Sequence, residues 1–106
     1  MVLITEGAST ELRRLLSYHA ALPRQGVRLR VDEAGSLKMA IDGPHLGDAV
    51  IRHQKTLLVI MDAPVSARLA GRVLDFCLPS GKPTPEFTLR DRQADASARA
   101  PHQGLD

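Results

Sequence analysis

Residues 26–41 read Gly26-Val27-Arg28-Leu29-Arg30-Val31-Asp32-Glu33-Ala34-Gly35-Ser36-Leu37-Lys38-Met39-Ala40-Ile41, and their periodicity decides the fold class. Val27, Leu29 and Val31 alternate with Arg28 and Arg30. After Asp32-Glu33-Ala34-Gly35, Leu37, Met39 and Ile41 alternate with Lys38 and Ala40. A period of two puts one set of side chains on one face of a strand, so the stretch predicts a β-hairpin with a short connection.

Upstream the period changes. Ala8, Leu12, Leu15, Leu16 and His19 recur at helical spacing and predict one helix from about Glu6 to Ala20. Thr5 is placed to cap its first turn, where the charge of Glu6 suits the helix dipole. Gly7 weakens the start, and Pro23 with Gly26 closes the helix and opens a loop.

Downstream, a loop from Gly43 to Asp48 precedes a short strand, Ala49 to Arg52, and a tight turn at His53-Gln54-Lys55. Thr56 to Met61 is continuously apolar, which predicts a strand buried on both faces. Asp62-Ala63-Pro64 stops it and starts a helical turn through Val65 and Leu69, with Gly71 able to end it. Strands follow at Val73 to Leu78 and, after a Pro-rich loop over 79–85, at Glu86 to Arg90. From Asp91 to Asp106 the residues are small, charged or polar apart from Leu105, and disorder is expected there. The expected domain is therefore 1–90, mainly β, with a helix against it and a short helical turn between strands.

Composition narrows the function classes. The 106 residues, 43% hydrophobic and 25% charged, suit one domain. Tyr18, Phe76 and Phe87 are the aromatics and Trp is absent, so the core must come from Leu, Val, Ile, Met and Ala. Stacking platforms for single-stranded nucleic acid are thereby disfavoured. The longest mostly apolar run, Thr56 to Met61, falls far short of the roughly 20 residues of a membrane helix. No charged-then-apolar leader opens the sequence, so a cytoplasmic protein is expected. Cys77, the one cysteine, can neither close an intramolecular disulfide nor fill a four-cysteine metal site.

Six segments occur in an informative order: Ile4-Thr5 with Leu12-Arg13-Arg14-Leu15-Leu16; Gly26-Val27-Arg28-Leu29-Arg30-Val31; Gly47-Asp48-Ala49-Val50; Leu57-Leu58-Val59-Ile60-Met61-Asp62; Pro64 to Phe76, ending Leu69-Ala70-Gly71-Arg72-Val73-Leu74-Asp75-Phe76; and Glu86-Phe87-Thr88. Together, over roughly residues 4–90, they resemble the HesB/IscA-like family, the A-type scaffold or carrier proteins of iron–sulfur cluster assembly. The resemblance implies a compact β-sandwich or barrel-like domain that forms homodimers or larger assemblies. It also implies a ligand set of three cysteines, one in a Gly-rich loop of the first hairpin and two in a C-terminal Cys-Gly-Cys pair. The matching hairpin loop here is Glu33-Ala34-Gly35-Ser36, and neither it nor the tail from Asp91 contains cysteine. Thiolates select iron–sulfur clusters, so the resemblance implies a scaffold kept after its site was lost. On this reading the chain is not an enzyme, has no cofactor, and acts by association with itself or a protein partner.

The remaining candidates each have an ordinary reading beside the functional one. An isolated cysteine on an apolar strand usually packs as a small hydrophobe. The alternation nevertheless puts Cys77 with Asp75 on the more polar face, from which a dimer could present two thiolates to iron or an iron–sulfur cluster. His45 and Asp48 in one loop and His53 in the next turn offer imidazole and carboxylate to a divalent metal. Their spacing matches no metal motif, and loop histidines are ordinarily solvated. His19 is expected packed or partly exposed at the helix end, and His102 is assigned no role. Arg13, Arg14, Arg24, Arg28 and Arg30 fall in a stretch without acids, Leu12 to Val31, despite a net charge of only +2. They form either a patch for an anion or nucleic acid or solvated polar faces of a helix and a strand. Ser17, Ser36, Ser66 and Ser80 show no nucleophile signature, and Asp32-Glu33 reads as turn chemistry. Gly43-Pro44-His45-Leu46-Gly47 lacks the Lys-Ser/Thr of a phosphate loop.

Overall fold

The structure is a computed structural model that describes residues 1–91. Along the chain lie β1 (Leu3–Ile4), α1 (Glu6–Tyr18), β2 (Gly26–Val31), β3 (Leu37–Asp42), β4 (Ala49–His53), β5 (Thr56–Met61), α2 (Ala63–Leu69), β6 (Arg72–Cys77) and β7 (Glu86–Asp91). The strands form two sheets, ordered β1-β6-β7 and β3-β2-β5-β4. The hairpin of β2 and β3 pairs antiparallel from Gly26 with Asp42 to Val31 with Leu37. β5 lies parallel to β2 and antiparallel to β4, at the centre of its sheet. That position explains its apolar run, because Leu57 to Met61 are all buried.

The helix and both sheets share one core. Ala8, Leu12 and Leu16, four residues apart on one stripe of α1, pack with Val27, Leu29, Leu58, Val59, Met61, Leu69 and Leu74. Fully burying one such leucine stabilises the fold by about 1.5–3 kcal/mol. The caps agree with the sequence reading: Thr5 Oγ1 accepts from the Ala8 amide at 3.2 Å, and Asp62 Oδ1 accepts from the Val65 amide at 3.0 Å.

Element ends differ from expectation for local reasons. α1 stops at Tyr18, two residues short of the expected Ala20, because Ala20 adopts φ 52°. The Ala21 amide then reaches the Leu16 carbonyl at 2.9 Å, and the Ala20 amide reaches that of Ser17 at 3.0 Å. This is a Schellman closure with alanine where glycine is the usual residue. β4 extends through His53, and Gln54 and Lys55 form a two-residue turn with φ 50° and 71°. β6 begins at Arg72 and ends at Cys77, leaving Leu78 outside and 59% exposed. β7 continues to Asp91, which pairs with Arg72, so Asp91 belongs to the sheet rather than to the expected tail. The rest of that tail, 92–106, lies outside the described residues. β1, two residues parallel to β6, is too short for any periodicity to announce it. Among the described residues no helix is long and apolar enough to cross a membrane.

Candidate functional site

The order β3-β2-β5-β4 requires the chain leaving β3 to pass β2 and β5 before it enters β4. Residues 43–48 make that passage, and Arg28 fixes it. Arg28 belongs to the strand face opposite Val27 and Leu29, yet it is only 4% exposed. Its Nε donates to Asp42 Oδ2 at 2.6 Å, and its Nη2 donates to Asp48 Oδ2 at 2.7 Å and to the Gly43 carbonyl at 3.1 Å. His45 Nδ1 lies 3.5 Å from the same Nη2. Asp48 Oδ2 also accepts from the His45 amide at 2.7 Å, and Asp42 Oδ1 from the Gly43 amide at 2.8 Å.

The electrostatics follow from these contacts. The Arg28 hydrogen bonds hold the Asp42 and Asp48 carboxyls below their ordinary value of 3.8, and the backbone amides of Gly43 and His45 add to the effect. In return the hydrogen bond that Arg28 donates to Asp48, with the one it donates to Asp42, raises the pKa of Arg28 against the opposing effect of burial. Chemically the cluster is a post: its cation is matched by two carboxylates, and Asp42 Oδ1, Asp42 Oδ2 and Asp48 Oδ2 accept from amides or the guanidinium.

The other sequence candidates are dispersed. Arg14 is held by Glu11 through a bidentate pair on the surface of α1. Arg24 lines a groove of about 630 Å³ with Pro44 and Arg52, whereas Arg13 lines another with His53 and Gln54. Arg30 is exposed on β2. With Arg28 buried and neutralised, the five arginines do not share one surface.

His45 sits beside a guanidinium, His53 faces Arg13 in the groove that both line, and Cys77 ends β6 in the other sheet. Cys77 is exposed, which corrects the reading of it as a buried hydrophobe. As the last residue of its strand, opposite Glu86, it lies past the part of β6 that the core covers. Among the described residues no three His, Cys, Asp or Glu side chains are grouped so that they could hold a metal ion. The hairpin loop is closed by its own bonds: Asp32 Oδ1 accepts from the Ser36 amide at 2.8 Å, and the Gly35 amide donates to the Asp32 carbonyl at 2.9 Å. His19 caps α1, exposed, with its ring edge-on to Tyr18 at 5.1 Å.

Two residues carry more than their sequence context suggested. Asp48, a candidate metal ligand by sequence, is instead the principal partner of Arg28. Asp75 accepts from the Thr5 hydroxyl at 2.8 Å and from the Phe76 amide at 2.9 Å, and pairs with Arg90 at 3.4 Å. It therefore ties the start of α1 to β6 and β7. A signal for Asp42 was present: the hairpin register pairs Arg28 with Ala40, which puts Asp42 diagonally beside Arg28 on the same face.

No protein-family model matches the chain, and no curated protein matches it in sequence. Solved structures do match. Escherichia coli SufA, involved in biosynthesis of iron–sulfur clusters, superposes with a TM-score of 0.60 at 21% identity, covering 85% of this chain and 84% of that one. IscA with a 2Fe–2S cluster gives 0.58 at 18% identity, covering 86% and 85%. A protein from Aquifex aeolicus gives 0.57 at 21% identity, covering 82% and 87%. The chain thus has the IscA-like fold, mainly β in two sheets with an N-terminal helix and a short helix between strands. The likeness to SufA and IscA, over most of each chain, is one of architecture.

Proposed function

We propose that this chain is a non-enzymatic IscA-like scaffold domain of the cytoplasm that has lost cluster ligation and acts by association, with itself or with a protein partner. The observation that carries the reading is the pairing of an IscA-like fold with a single cysteine in 106 residues, exposed at the end of β6 and away from the hairpin loop. One thiolate cannot satisfy a cluster that other proteins hold with several. The hairpin loop, where the resemblance calls for a cysteine, is closed instead by Asp32 and Ser36.

A second reading rests on the exposure of Cys77, which leaves it free to meet the same residue of another copy and bridge iron or a cluster. Sedimentation velocity over a range of concentrations, with and without anaerobic ferrous iron and sulfide, separates the two. Self-association that ignores iron and sulfide, or a monomer that ignores them and binds another protein, supports the scaffold reading. A dimer that forms only with iron and sulfide, and is lost in Cys77→Ser, overturns it in favour of the second. The third reading, anion or nucleic-acid binding by five arginines acting together, has less behind it because Arg28 and Arg14 are already paired.

A further inference from the structure

The groove beside Arg13 has a chemistry that the scaffold role does not use. It encloses about 640 Å³ between the two sheets, with Met1 to Ile4 and one stripe of α1 on one wall and Ile51, His53, Gln54 and Leu58 on the other. That size suits a small organic ligand. Arg13 projects into it. Its Nη2 meets His53 Nδ1 and donates to Gln54 Oε1 at 3.3 Å. Its Nε is buried without any hydrogen-bond partner.

No carboxylate forms an ion pair with Arg13 among the described residues. A buried guanidinium nitrogen left unpaired is costly, and a carboxylate is the group whose geometry answers it. Glu6 is the one acid on the lining, but it precedes Arg13 by seven residues, roughly 10 Å along the helix. The guanidinium and the imidazole therefore face each other with no acid between them. Ile4 and Ile51, both half-buried, supply an apolar surface along the groove.

We propose that this groove binds a small organic monocarboxylate, with its head group taken by Arg13 and His53 and its apolar chain laid along Ile4 and Ile51. The carboxylate displaces the direct Arg13–His53 contact and takes its hydrogen bonds from the Arg13 guanidinium and the His53 ring. His53 is the exposed last residue of β4, just before the two-residue turn, so it can yield without disturbing the core.

Titration of the full chain with hexanoate, followed by backbone amide NMR shifts, tests the site, with acetate and hexylammonium as comparison probes. The expected result is saturable shifts centred on Thr10, Arg13, His53 and Gln54, weaker binding of acetate, and no binding of hexylammonium. Affinity should fall by about tenfold or more in Arg13→Gln, the loss of one charge-assisted pair, and stay unchanged in Arg30→Gln. His53→Ala, an exposed substitution, provides the same test if Arg13→Gln fails to fold, and should also weaken binding. Absence of saturable shifts, shifts centred elsewhere, equal affinity in the folded variants, or equal binding of hexylammonium overturns the proposal. None of these results depends on whether the chain holds a cluster.

Discussion

The Arg28 guanidinium and the Asp48 carboxylate meet at 2.7 Å, with each side chain only 5% exposed. One belongs to β2 and the other to the residue just before β4, so the contact pins the connection that crosses the sheet. The ion pair is a consequence of topology: a chain that must pass two strands to reach its own needs something to hold it down.

Removing the post should therefore loosen the crossing while leaving the hairpin paired. Arg28→Met leaves two carboxylates near one another without a cation. It should cost about 2–3 kcal/mol, somewhat below the range for a fully buried pair because Asp42 is a third exposed. Asp48→Asn should cost less, since Asn still accepts from the His45 amide and Arg28 keeps Asp42. Urea denaturation of the two variants checks the order, and hydrogen exchange should locate the change at residues 43–48.

Acid should weaken the same cluster. Asp42 and Asp48 titrate below 3.8 in the folded state, so their contribution is fully present above that value and is lost as the pH falls through and below it. Stability measured between about pH 7 and about pH 3 should drop at the acid end. The slope should flatten in Arg28→Met, where neither carboxyl is depressed by a guanidinium.

Left-handed non-glycine residues mark places where the sequence can be improved. Ala20 at φ 52° closes α1, and Lys55 at φ 71° closes the β4–β5 turn. Ala20→Gly and Lys55→Gly should each raise stability by about 0.5–1 kcal/mol, because glycine takes these angles without a Cβ clash. Thermal melts of the single variants and their combination should show increments that add.

Thr5 joins two jobs in one hydroxyl, capping α1 and donating to Asp75. Thr5→Ala should cost about 1–2 kcal/mol and Thr5→Ser far less, since serine retains the oxygen. Circular dichroism melts distinguish the two.

Local rules explain what could be read from the residues. The hairpin, the run over β5, the Thr5 cap and the Asp62-Ala63-Pro64 helix start each depend on neighbours close in sequence, and each appeared in place. Which strands share a sheet did not, although the family resemblance implied a sandwich-like domain, because β1 has only two residues and its pairing with β6 joins Leu3 to Val73 across the chain. The role of Asp48 was hidden for the same reason: its partner lies on a strand reached only through the β3-β2-β5-β4 order. The general habit of an isolated cysteine to pack as a small hydrophobe points the wrong way for Cys77, whereas the alternation that groups it with Asp75 on the more polar face agrees with its exposure.

Loss of cluster ligation is tested by anaerobic reconstitution with ferrous iron and sulfide, followed by desalting, iron and sulfide assays and a visible spectrum, on wild type and Cys77→Ser. The expected result is a colourless wild-type protein free of iron and sulfide after desalting, identical to the variant. Near-stoichiometric iron and sulfide with charge-transfer bands that survive desalting, and vanish in Cys77→Ser, would contradict it.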